Sequence, residues 1–138
     1  MRNRTKAREF ALQILYEMDV TQDTSEETIG NFFLLEERNE IDESLRAFIA
    51  QLVKGVEANK ADIDAKISRY AANWELERMA VVDRNILRLG CFELLLRDDI
   101  PPKVSINEAV ELAKKYSGTE SGKFVNAILD KVKQEIKK

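Results

Sequence analysis

Histidine is absent from these 138 residues, and cysteine occurs once, at Cys91. The first absence removes every His-based catalytic triad or dyad, and together they remove His/Cys zinc sites. A lone thiol inside the apolar run Leu89–Leu96 forms no internal disulfide and points to a reducing compartment. The five glycines, at positions 30, 55, 90, 118 and 122, compose neither a phosphate loop nor a dinucleotide fingerprint. Only two prolines occur, side by side at Pro101 and Pro102, so the rest of the chain is free of that helix breaker. No apolar stretch approaches the roughly 20 residues that span a bilayer. The first 20 residues carry basic groups but no long apolar segment and no small-residue cleavage site. The expected protein is therefore a non-enzymatic, cytoplasmic one, without metal, cofactor or membrane partner.

What is present is helical periodicity. Ala7, Phe10, Ala11, Ile14, Leu15 and Met18 form one continuous stripe, predicting a helix from about Lys6, or from Arg4, to Asp19. Thr24 or Ser25 caps a second helix containing Ile29, Phe32, Phe33 and Leu35. Asp42 caps a third, with Leu45, Phe48, Ile49, Leu52, Val53 and Val56 in register. Ile63 and Ile67 carry the period through Asp62–Tyr70, and Met79–Leu96 is apolar over most of its circumference, as a central buried helix would be. After the double proline, Ser105 and Glu108 fit an S-x-x-E capping box opening a helix to Tyr116. Gly118 and Ser121 precede a last amphipathic helix. The expectation is an all-α chain of about seven helices forming a single domain, 1–138, in two small packed bundles, approximately 1–72 and 73–138.

The net charge of −3 conceals an uneven distribution. Residues 20–64 hold 4 basic and 11 acidic side chains, whereas residues 103–138 hold 8 basic and 5 acidic. Arg2, Arg4, Lys6 and Arg8 add a compact cationic arm suited to phosphate contacts. Where the two basic regions meet, a polyanion could bind; unequal surface decoration is the plainer explanation. A second basic set is Lys114, Lys115 and Lys123, with Phe124 placed either to stack an unpaired base or to fill the core with Ile128 and Val132. Tyr16 and Tyr70 present the same alternatives. Glu75, Glu77, Arg78, Asp83 and Arg84 form a mixed-charge cluster that suits a basic protein partner or pairs with itself. Adjacent acids such as Glu36–Glu37 diverge by about 100° on a helix and read as solvated surface. Glu93, set among Phe92, Leu94, Leu95 and Leu96, needs a basic partner unless it is functional, and the ion pair is the favoured reading.

Three segments together, ALQILYEMD after a basic start, VVDRNILRLGCFELL, and IPPKVSINEAVELAKKYSGTESGKFVNAILDK, resemble the NusB family of bacterial transcription antitermination factors. The resemblance spans essentially the whole chain and is most specific from Val82 to Lys131. It departs from the family pattern in a sparser arginine run, in Ala127 where glycine is common, and in Gly122 where a bulkier polar residue is usual. The resemblance implies two helical bundles and no catalysis. It implies binding to the boxA element of nascent ribosomal RNA together with NusE, a ribosomal small-subunit protein, within a complex of Nus factors on RNA polymerase. Carried onto this chain, it implies RNA contacts at Arg2, Arg4, Lys6, Arg8, Tyr16, Tyr70, Lys123 and Phe124. The implied protein-partner face comprises Glu77, Arg78, Asp83 and Arg84. Homodimer formation is a further expectation from relatives that self-associate. Alternative readings are the RNA-targeting helical domain of a ribosomal RNA cytosine methyltransferase, and a pure protein-docking module.

Overall fold

The computed structural model describes residues 2–35, 41–71 and 74–136. Glu36–Glu37 and the proposed bundle boundary at 72/73 lie outside the described residues, as does the side chain of Arg2. Seven α-helices are present among the described residues, with no strand: α1 (Arg2–Thr21), α2 (Ser25–Leu34), α3 (Glu43–Ala58), α4 (Lys60–Tyr70), α5 (Val81–Leu96), α6 (Pro102–Tyr116) and α7 (Thr119–Glu135). A 3-10 turn, Leu76–Arg78, leads into α5.

Periodicity becomes burial in α1, where Ala7, Ala11, Ile14 and Leu15 are enclosed and Phe10 and Met18 pack at the margin. The centre of the molecule is α5, buried without interruption from Asn85 to Leu94. It touches α1, α3, α4, α6 and α7, which explains an apolar sequence around nearly the whole circumference. Helix α4 packs on α5 and α7 as well as on α3. Cys91 is fully enclosed, and burial pushes its thiol up to about 12, leaving it inert at neutral pH.

The caps divide into those that match the sequence pattern and one that does not. Thr24 accepts from the Glu27 backbone N–H at 3.2 Å, and Asp42 accepts from Ser44 N–H at 2.9 Å. Gly118 precedes α7 at φ +116°, a conformation open mainly to glycine, and its N–H closes α6 onto the Ala113 carbonyl at 2.9 Å. The expected capping box at Ser105 and Glu108 is not one. Helix α6 begins a turn earlier, with Pro102 at its first position, where a missing N–H costs nothing and φ is already helical. Ser105 and Glu108 are thereby one turn inside the helix, on the face turned toward α1 and α5.

Candidate nucleic-acid interface

Glu93 has the basic partner its apolar setting requires, and that partner is Arg8. The guanidinium donates from Nε to Glu93 Oε2 at 2.7 Å and from Nη2 to Oε1 at 3.0 Å, a two-pronged ion pair. Its Nη1 reaches Glu108 Oε1 at 2.8 Å, and Ser105 Oγ donates to Glu93 Oε1 at 2.9 Å. Arg8 is only 2% exposed. The expectation that it belongs to an RNA-facing arm is therefore corrected: position 8 lies on the buried stripe of α1 between Ala7 and Ala11, and its charge is spent internally.

Among the described side chains of the arm, Arg4 and Lys6 face solvent, on opposite sides of α1. Arg4 lies over the Phe48 ring at 4.3 Å and within 4.0 Å of Asp99, on the α3 side. Lys6 faces α6. Its Nζ is 3.9 Å from Glu9 Oε1, the same oxygen that accepts from Lys115 Nζ at 2.8 Å and from Tyr116 Oη at 2.6 Å. Glu9 is 8% exposed, and burial alone would raise its pKa. The bonds from Lys115 and Tyr116, with the charges of Lys6 and Lys115, outweigh burial and hold it below the usual carboxylate range. One buried carboxylate thus gathers two exposed lysines from distant parts of the sequence.

The strip continues through the α6–α7 corner. A Cβ on Gly122 would lie 2.9 Å from Lys114 Cγ, so the absence of a side chain lets Lys114 lie flat against α7. Lys123 follows directly and is exposed, loosely paired with Glu120 at 3.5 Å. Phe124 is half-buried, consistent with its core stripe, yet its ring meets Trp74 edge-on with centroids 6.5 Å apart. Trp74 is itself 55% exposed, so the pair walls a cup also lined by Met79, Ala80, Asp83 and Ser121. Tyr70, at the end of α4, packs against the core with the Arg69 guanidinium 5.9 Å from its ring.

Tyr16 lies beside the strip in different surroundings. With Leu12, Val20, Val82 and Tyr116 it lines a groove whose exposed surface is mainly apolar, shared with Glu9, Gln13, Glu17 and Thr21. Leu12, Tyr16 and Val20 recur every fourth residue, a second stripe on α1 beside the core stripe. That spacing was the signal available in the sequence for this groove. Trp74 gave no comparable signal.

Of the mixed-charge cluster, Glu77 and Arg78 are exposed, and Arg78 pairs locally with Glu75 at 3.5 Å. Asp83 Oδ2 accepts from Ser121 at 3.2 Å, while its Oδ1 is enclosed without a hydrogen-bond partner. Arg84 is held within the chain. It grips Asp19 with two bonds of 2.7 and 2.9 Å and reaches the Leu76 and Glu77 carbonyls, tying the turn before α5 to the end of α1. Asn85 and Arg88 also donate to Asp19, and Arg88 forks onto Asp64. Burial would raise the Asp19 pKa, but these donors prevail and hold it at about 2.

Residues 5–134 match the NusB family. The chain belongs to the NusB family. It is 46% identical over 133 residues to the transcription antitermination protein NusB of Desulforapulum autotrophicum, covering 96% of this chain and 92% of that protein. Against the NusB of Myxococcus xanthus it is 47% identical over 130 residues, covering 94% and 93%. Among solved structures, T. maritima NusB superposes with a TM-score of 0.87 at 38% identity, over 96% of this chain and 91% of that one. A NusB solved with NusE and double-stranded RNA gives a TM-score of 0.88 at 29% identity, over 99% of both chains. The NusB fold anticipated from the sequence is therefore the fold observed. No helix among the described residues is long and apolar enough to cross a membrane.

Proposed function

We propose that this NusB-family chain acts without catalysis, binding the boxA element of nascent ribosomal RNA together with NusE and joining the other Nus factors on RNA polymerase. The observation that carries the reading is the convergence of Lys6 and Lys115 on buried Glu9, continued by Lys114 and Lys123 at the α6–α7 corner. These ammonium groups face solvent along one edge, which suits a phosphate backbone. The half-exposed rings of the Trp74–Phe124 cup, beside Lys123, suit an unpaired base.

The groove of Tyr16, Val20 and Tyr116 exposes mainly apolar surface and holds two carboxylates, Glu9 and Glu17, that would repel a phosphate, so its chemistry suits NusE. On this reading Tyr16 serves the protein face, with exposed Glu77 and Arg78. RNA and NusE would meet at Glu9 and Tyr116, where strip and groove touch. Sharing one RNA between two such surfaces strengthens binding without new contacts on either. The test compares boxA RNA with a scrambled sequence of equal length, in moderate salt, with and without NusE. Preference for boxA, increased by NusE, is expected; equal binding of both RNAs with NusE present refutes the proposal.

A further inference from the structure

Helix α1 should fray at its start. It has no acidic residue in its first turn, and Arg2 and Arg4 place positive charge at the positive end of the helix dipole. The helix nevertheless runs from Arg2. Two side chains of that segment are tied to one residue about a hundred positions away: Thr5 Oγ1 and Arg8 Nη1 both donate to Glu108 Oε1. Arg8 is anchored from behind by its fork on Glu93, which Ser105 also holds. These five residues come from α1, α5 and α6, so the first two turns of α1 are pinned to the two helices beneath them.

We infer that Arg8, Glu108 and Thr5 are positioning residues for RNA binding: they hold the start of α1 in helical form so that Lys6 is presented in register with Lys115. The inference rests on the RNA-binding reading above. None of the three needs to touch RNA. Arg8 and Glu108 are largely enclosed, with side-chain exposures of 3% and 16%. What they supply is order that a flexible cationic arm would otherwise have to gain on binding, at a cost in affinity.

Glu108→Met separates this from simple charge attraction, because the two accounts predict opposite signs. Removing a carboxylate near the basic strip should tighten RNA binding if only Coulomb attraction matters. The positioning account expects binding weakened about three- to tenfold, the cost of ordering a few freed side chains. The slope of log Kd against log salt should stay unchanged, since the number of phosphate contacts is the same. Hydrogen exchange should accelerate over residues 5–10 and remain at the wild-type rate in α5 and α7. Thr5→Val removes only a hydroxyl and changes no charge, so it serves as the second variant if Glu108→Met folds poorly. It should weaken binding in the same direction and by less. Binding equal to or tighter than wild type in folded Glu108→Met, or in Thr5→Val with faster exchange at residues 5–10, overturns the inference. Failure of the wild-type chain to bind boxA RNA with NusE would instead overturn the functional reading.

Discussion

Replacing Arg8 with Met would leave Glu93, 1% exposed, without its two-pronged partner, and would strip Glu108 of one donor. Glu108 has a path to water, but Glu93 has none without opening the contact between α1, α5 and α6. Removing one member of a buried ion pair costs about 3–5 kcal/mol, because the stranded charge keeps its desolvation penalty and loses its compensation. For a chain of this size, each kcal/mol moves the melting midpoint by roughly 3 °C, so Arg8→Met should melt about 10 °C or more below wild type. The loss comes mainly from the buried carboxylate that has lost its guanidinium, so the double variant Arg8→Met with Glu93→Leu should recover most of it. Urea unfolding followed by far-ultraviolet circular dichroism gives the four free energies of the cycle. A single variant costing less than about 1 kcal/mol, or a double variant as unstable as the two single losses added, refutes the reasoning.

Other consequences follow from the same contacts. Asp19 is held at about 2 against an ordinary 3.8, so its contribution is complete above pH 3.8 and disappears as pH falls toward 2. That contribution is about 2 kcal/mol, and Asp19→Asn should flatten the acid limb of a stability-against-pH curve over that window; an unchanged limb contradicts the assignment. A Cβ at Gly55 would lie 2.2 Å from the Phe92 ring between α3 and α5, so Gly55→Ala should destabilise by about 1–3 kcal/mol, in chemical denaturation, despite its better helix propensity. Val20, 59% exposed in the α1 groove, tests the protein face: Val20→Asp should weaken NusE binding at least tenfold in calorimetry while leaving the melting midpoint within about 2 °C. Unaltered NusE affinity would remove the groove from the proposed interface.

The helices were legible because burial follows period. Ala7, Ala11, Ile14 and Leu15 line up in sequence and are enclosed in the structure, and Thr24 and Asp42 stand where an N-cap is chemically required. Glu93 could be read as needing a cation, since a carboxylate among leucines has few other solutions. Which cation was not legible, because Arg8 shares its chemistry and its segment with Arg4 and Lys6. Only the α1 register, which places position 8 inward, separates them. Ser105 and Glu108 were misread for a related reason: the i, i+3 spacing of a capping box is also the spacing of two residues on one helix face. Proline at the first helical position starts α6 before Ser105, which leaves both residues inside the helix, facing α1 and α5. Lys6 and Lys115 are far apart in sequence, and only tertiary packing places both at Glu9.

If RNA lies along the strip from Lys6 through Lys115 to Lys123, the salt dependence of boxA RNA binding in the presence of NusE must change when those lysines are removed. Relative to the wild type, Lys6→Gln/Lys115→Gln/Lys123→Gln should bind more weakly, with a slope of log Kd against log salt shallower by about 2–3, the counterions no longer released at those contacts. An unchanged slope and affinity in the folded triple variant would place the RNA on another face and contradict the account.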